Sequence, residues 1–209
     1  MTAVNTASGT LYVVSAPSGA GKTSLLKRLI AELQSVEMSI SHTTRDKREG
    51  EVNGADYHFV SVEEFKSLVS QDAFYEHAEV FGNYYGTSKA SIQDQLGQGI
   101  DVILEIDWQG ARQIREQLPE SLSIFILPPS KEALQERLDS RGQDDAEVIN
   151  KRMQAAKSEM SHFDEYDYLL INDDFEVALA ELKAVLVAER QKISNQKQKF
   201  AHLLGNLLD

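Results

Sequence analysis

The sequence predicts an α/β protein built on a doubly wound parallel sheet, and three observations predict it. Apolar runs at residues 11–14, 102–107, 122–127 and 168–171 are spaced widely enough for helices between them. Amphipathic helical patterns follow several of these runs. The first run passes directly into the glycine-rich turn Ser15-Ala16-Pro17-Ser18-Gly19-Ala20-Gly21-Lys22-Thr23. Strands that alternate with helices pair in parallel and are covered on both faces.

The elements follow in order. Leu11-Tyr12-Val13-Val14 reads as a buried strand. Residues 24–33 read as a helix with Leu25, Leu26, Leu29, Ile30 and Leu33 on one face. Residues 102–107 form a second apolar strand ending in an acid. Residues 122–127 form a third, stopped by Pro128-Pro129; Ser130 then caps a helix to about residue 138, with Glu132 in its first turn. Residues 168–171 make a fourth strand, and 176–189 a further helix.

Two segments break this rhythm. Residues 42–97 are charged at first and then rich in aromatics, with a short helix at 62–69 capped by Ser61. They read as a small mixed α/β insertion, because loops this long without a purpose are uncommon. Residues 137–156 are polar and arginine-bearing, a composition that suits a mobile lid or a plain solvated helix-loop-helix. The expected organisation is one domain over 1–209, with a core of 9–41, 98–136 and 157–190. The tail at 191–209 carries Phe200, Leu203, Leu204 and Leu207 at helical spacing, to pack on its own chain or on a second subunit.

Composition narrows the function. The chain has 209 residues, 42% hydrophobic and 26% charged, as a soluble globular domain has. Its net charge of −12 repels nucleic-acid polymers and anionic membranes, so any phosphate site needs local cations. There is no cysteine, which excludes disulfides and thiolate metal sites and suits a reducing cytoplasm. Neither a signal-peptide core nor a bilayer-spanning run is present. The small polar residues at 1–8 are expected to be disordered.

The glycine-rich turn carries the first chemistry. A strand, a turn and a helix start make a phosphate cradle in which successive N–H groups point at an anion. Gly19 and Gly21 permit backbone angles and an approach that a Cβ would hinder. Ser18, Gly19, Ala20 and Gly21 supply the loop, Lys22 places a charge on the β- and γ-phosphates, and Thr23 offers a hydroxyl to Mg²⁺. The usual pattern opens with Gly where this chain has Ala16, which is acceptable if its φ is negative. A second anion site lies at Arg45 and Arg48, three apart on an acidic protein, with Tyr57 close by. Guanidinium forks suit phosphate oxygens, although a bare charge run is usually a solvated face.

The stretch Thr43-Thr44-Arg45, then Arg48, Glu51, Gly54, Tyr57 and Phe59, resembles the signature of guanylate kinases. The resemblance extends from Ser15 through Gly82-Asn83-Tyr84-Tyr85-Gly86-Thr87 and Ile106-Asp107-Trp108-Gln109-Gly110 to Ile171-Asn172-Asp173-Asp174, and is strongest to the bacterial, stand-alone members. It implies a P-loop kinase fold with a GMP-binding insertion and a helical lid, ATP and GMP as substrates, and Mg²⁺ as cofactor. It implies that Arg45, Arg48, Tyr57 and Tyr85 hold the GMP phosphate, with Glu51 in the same signature, and that Ser41, Glu76, Thr87 and Asp107 face guanine. A carboxylate such as Glu76 can accept guanine N1–H and the 2-amino group together. Arg137, Arg141 and Arg152 match lid arginines that close on ATP, Arg137 and Arg152 being catalytic with Lys22 and Arg45. Asn172 lies where the family touches adenine. Asp107 is expected to act on Mg²⁺ through water; Glu105, where many members have Asp, has no assigned contact. Two other functions stay open: a kinase for a different small phosphate ester, and a non-catalytic guanylate-kinase-like module that docks partner peptides.

Overall fold

The first apolar run becomes β1 (Leu11–Ser15), and its turn feeds α1 (Lys22–Glu32), which buries Leu25, Leu26 and Leu29. The chain returns through β2 (Val36–Met38), a fifth core strand that the apolar runs do not reveal. Only Val36 of its three residues is buried, so it makes no run. The insertion follows as β3 (His42–Thr43), β4 (His58–Phe59), α2 (Val62–Ser70), β5 (Phe74–Val80), β6 (Asn83–Ser88) and α3 (Lys89–Gly97). The core resumes with β7 (Asp101–Glu105), α4 (Trp108–Gln117), β8 (Leu122–Leu127) and α5 (Lys131–Asp139). It closes with α6 (Ala146–Met160), β9 (Tyr168–Ile171), α7 (Phe175–Arg190), α8 (Ile193–Lys199) and α9 (Ala201–Leu208). This computed structural model describes residues 8–80, 82–139 and 146–208; the expectations for residues 1–7 and for Arg141 lie outside them.

The core sheet runs β2-β7-β1-β8-β9, all parallel. Strand alternation splits its packing. Tyr12 and Val14 face Leu25 and Leu29 of α1 and Leu182 of α7, while Leu11 and Val13 face Ile92 of α3 and Ala111 and Ile114 of α4. Each such side chain, fully buried, contributes roughly 1.5–3 kcal/mol. The two-faced cover stops short of the β9 edge, where Leu169 and Ile171 stay exposed. The insertion has its own sheet, β4-β3-β6-β5, parallel between β3 and β4 and antiparallel elsewhere, as a mixed α/β insertion requires.

Several expected caps are present. Ser61 accepts from Glu64 N at 3.0 Å, and Ser130 Oγ from Ala133 N at 3.1 Å. Two boundaries differ. The strand expected over 102–107 stops at Glu105, because the carboxylate of Asp107 caps α4 and turns the chain into it. The C-terminal helix is broken in two at Phe200, whose backbone (φ −111°, ψ 24°) leaves the helical region.

Candidate active site at the carboxyl edge of the sheet

The register Val14↔Glu105 and Ser15↔Phe125 sets the glycine-rich turn where β1 has a neighbour on each side, at the strand ends where such sheets bind ligands. Gly19 and Gly21 have φ of +91° and +90°. A Cβ on Gly19 would press on Leu134 and Leu138 of α5, and one on Gly21 would collide with Asn172 Nδ2. Ala16 is free of that strain: among the described residues only Ser35 and Asp72 are non-glycine positions with positive φ.

The loop is braced from behind. Asn172, buried at the end of β9, donates from Nδ2 to Ala20 O at 2.7 Å. Arg137 donates from Nη2 to Asn172 O at 2.9 Å and reaches Ala20 O at 3.5 Å. The side-chain amide of Asn172 thus holds the turn through Nδ2. Arg152 is half-buried on α6.

Lys22 Nζ donates to Ile106 O at 3.4 Å and lies 3.9 Å from Glu105 Oε1. Burial pushes its pKa down, opposed by Glu105, Glu159 and Asp107. Thr23 Oγ1 donates to Glu105 Oε1 at 2.5 Å. Glu105 thus joins the site although no contact was expected of it. The available signal was its position, an acid closing the strand beside β1. One oxygen of Asp107 is used by its cap, accepting from Gly110 N at 2.9 Å. A hydroxyl and two carboxylates on one wall fit a hard cation that takes its remaining ligands from phosphate and water. Among the described residues no set of three or more His, Cys, Asp or Glu forms a cage of its own.

In the insertion, Arg45 makes a two-pronged pair with Glu51, Nη2 to Oε1 at 2.7 Å and Nη1 to Oε2 at 3.1 Å. Glu51 Oε2 also accepts from Arg48 N at 2.8 Å. Both oxygens of Glu51 are engaged, and Glu51 holds Arg45 in place. Hydrogen bonding to Glu51, with Tyr85 adding to it, raises the Arg45 pKa. The guanidinium lies 5.4 Å from the Tyr57 ring, and Tyr57 and Tyr85 meet edge-on at 6.1 Å. Arg48 is exposed at the rim.

Glu76 and Thr87 are opposite each other in the β5–β6 ladder. Thr87 Oγ1 donates to Glu76 Oε1 at 2.5 Å. Burial pushes the Glu76 carboxyl up to about 7; Thr87 opposes the shift and Asp107 adds to it. One cavity of about 670 Å³ is lined by Lys22 and Thr23 from one side and by Ser41, Tyr57 and Thr87 from the other, with Glu105, Asp107 and Glu159 in its wall. Of the two anion sites expected from sequence, the glycine-rich turn with Lys22 lines this cavity, and Tyr57 lines it from the second. Glu159, which the sequence reading overlooked, accepts from the P-loop amide of Ser18 at 3.2 Å. No helix of the described residues is long and apolar enough to cross a membrane.

The family model described as guanylate kinase matches residues 8–189. The guanylate kinase of Alkalilimnicola ehrlichii is 59% identical over 200 residues, covering 96% of this chain and 98% of that protein. That of Escherichia coli K12 is 58% identical, covering 97% and 99%. The crystal structure of guanylate kinase from Anaplasma phagocytophilum aligns with a TM-score of 0.70 at 38% identity, over 90% of this chain and 89% of that one. With a glycine-rich turn and Lys22 lining the cleft at the strand ends, these matches over nearly the whole chain establish that it belongs to the guanylate kinase family.

Proposed function

We propose that the chain transfers the γ-phosphoryl group of ATP to the phosphate of GMP, with Lys22 and the P-loop amides on the donor side and Arg45, Arg48, Tyr57 and Tyr85 on the acceptor side. The observation that carries this reading is the single cavity lined by Lys22 and by Ser41, Tyr57 and Thr87. The acceptor oxygen is already anionic at neutral pH, so no strong base is required. Catalysis is then alignment and charge neutralisation. Glu76, braced by Thr87, reads the guanine edge together with Ser41 and Asp107. Thr23, Glu105 and Asp107 hold Mg²⁺, which supplies charge neutralisation on the phosphate oxygens when bound.

Arg137 lies against the loop on Ala20 O and Asn172 O, within the donor half. Arg152, and Arg141 beyond the described residues, approach the donor phosphates from the lid. Closure of that lid excludes water that would otherwise intercept the phosphoryl group. ATP and GMP are the partners, in a cytoplasmic setting and without a nucleic-acid polymer. A second copy of the chain covers Leu203, Leu204 and Leu207 of α9, exposed at 51%, 37% and 69%; a light-scattering mass of one chain would refute that part.

The test of the reaction is ADP release with a panel of nucleoside monophosphates. GMP should exceed AMP, CMP and UMP by several orders of magnitude, since adenine leaves Glu76 unpaired. Comparable rates for GMP and AMP would defeat the assignment.

A further inference from the structure

We infer that Glu159 is a positioning residue for the donor half of the reaction: its carboxylate takes a P-loop amide that a phosphate oxygen would also need, so that nucleotide binding must displace the carboxylate from the loop. The inference rests on the reading that this loop binds nucleotide phosphates.

Glu159 Oε2 accepts from Ser18 N at 3.2 Å, and Glu159 lines the cavity that holds Lys22. Carboxylate and phosphate oxygens are equivalent acceptors for such an N–H, so only one of them can use it fully. The backbone that carries Glu159 is held from both directions along the chain. Three residues earlier, Ala156 packs with Leu134 and Leu138, the side chains that fill the space above Gly19. Three residues later, His162 stacks on Trp108 with ring centroids 3.8 Å apart. Beyond it, Glu165 holds Arg112 at 2.5 Å and Arg115 at 3.0 Å, tying this end to α4. With the backbone so anchored, the Glu159 side chain alone must turn away from Ser18 when a phosphate oxygen takes the amide. Phosphate arrival in the loop and release of the carboxylate become one linked equilibrium.

The test uses the full chain and magnesium pyrophosphate as the probe, with GMP binding as an internal control. Calorimetry should show pyrophosphate binding about three- to tenfold tighter in Glu159→Gln than in wild type, the range for one partly exposed charge-assisted contact. GMP affinity should be unchanged. Hydrogen exchange at the Ser18 amide should speed up in Glu159→Ala and slow again when pyrophosphate is added. Equal or weaker pyrophosphate binding in Glu159→Gln with normal GMP binding would overturn the proposal. So would Ser18 exchange that ignores Glu159→Ala. Failure of the wild type to bind pyrophosphate at all would instead defeat the reading of the loop, while the exchange experiment would still judge the Glu159 contact.

Discussion

Thr87 donates its hydroxyl to Glu76 across the β5–β6 pair at 2.5 Å, and this bond holds a carboxylate that is only 6% exposed. Its other oxygen faces α4, where a Cβ on Gly110 would come within 3.2 Å of it. One oxygen is therefore held before any base is read, and the other has room beside α4 only because residue 110 is glycine. Glu76→Gln keeps the shape but turns one acceptor into a donor that meets guanine N–H groups. The kcat/KM for GMP should fall on the order of 10²- to 10⁴-fold, the cost of two mispaired charge-assisted bonds, with little change in the KM for ATP. Steady-state kinetics on the two substrates separate these effects.

The same burial makes stability depend on pH. Glu76 titrates near 7 when folded, above its ordinary 4.5. Between those values the folded chain binds more protons than the unfolded one, so stability must fall as pH rises. The contribution is complete below about 4.5 and is lost as pH passes through about 7. Urea midpoints at pH 5.5 and pH 8 should differ more for wild type than for Glu76→Gln. Equal differences would show that Glu76 is not the group responsible.

Lys22 lies against Ile106 O and Glu105, where it offsets acid charge in the cleft wall. Lys22→Ala should lower kcat by on the order of 10²- to 10³-fold, as loss of one positioned electrostatic donor does elsewhere. Circular dichroism should remain that of the wild type. Wild-type-like turnover would remove Lys22 from the chemistry.

Glu51 holds both terminal nitrogens of Arg45 and the amide of Arg48. Glu51→Ala frees the guanidinium to swing. The KM for GMP should rise roughly tenfold through lost orientation, while the KM for ATP stays constant. A direct phosphate role for Glu51 predicts the opposite sign, since removing a negative charge from the acceptor phosphate would tighten GMP.

Gly21 starts α1 at φ +90° with Asn172 Nδ2 against its Cα. Gly21→Ala meets both backbone strain and that collision. It should cost about 1–3 kcal/mol in stability and weaken ATP more than GMP. Thermal unfolding with each nucleotide added would read both effects.

Much of this was legible in one dimension because it is carried by local rules. The glycines flanking Ala20 permit the left-handed backbone that the turn adopts. The apolar runs at β1, β7, β8 and β9 announce buried parallel strands, and Ser61 and Ser130 announce helix starts. The arginine-tyrosine stretch suggested a second anion site, and the family resemblance, more than residue type, gave it that role. What stayed hidden involves contacts between distant segments. β2 shows no apolar run because only Val36 of its three residues is buried, and its pairing with β7 is what makes it a core strand. Glu105 meets Thr23 only because β7 pairs in register with β1. Asn172 braces Ala20 across 152 positions, and Glu159 reaches Ser18 across 141.

The amino-acid sequence by itself determined the kind of chemistry, since backbone freedom at glycine and the charge of lysine and arginine are properties of the residues. Tertiary structure decided which acids sit beside those cations, because hydrogen bonds act over about 3 Å and only packing brings segments this far apart in the chain to that distance.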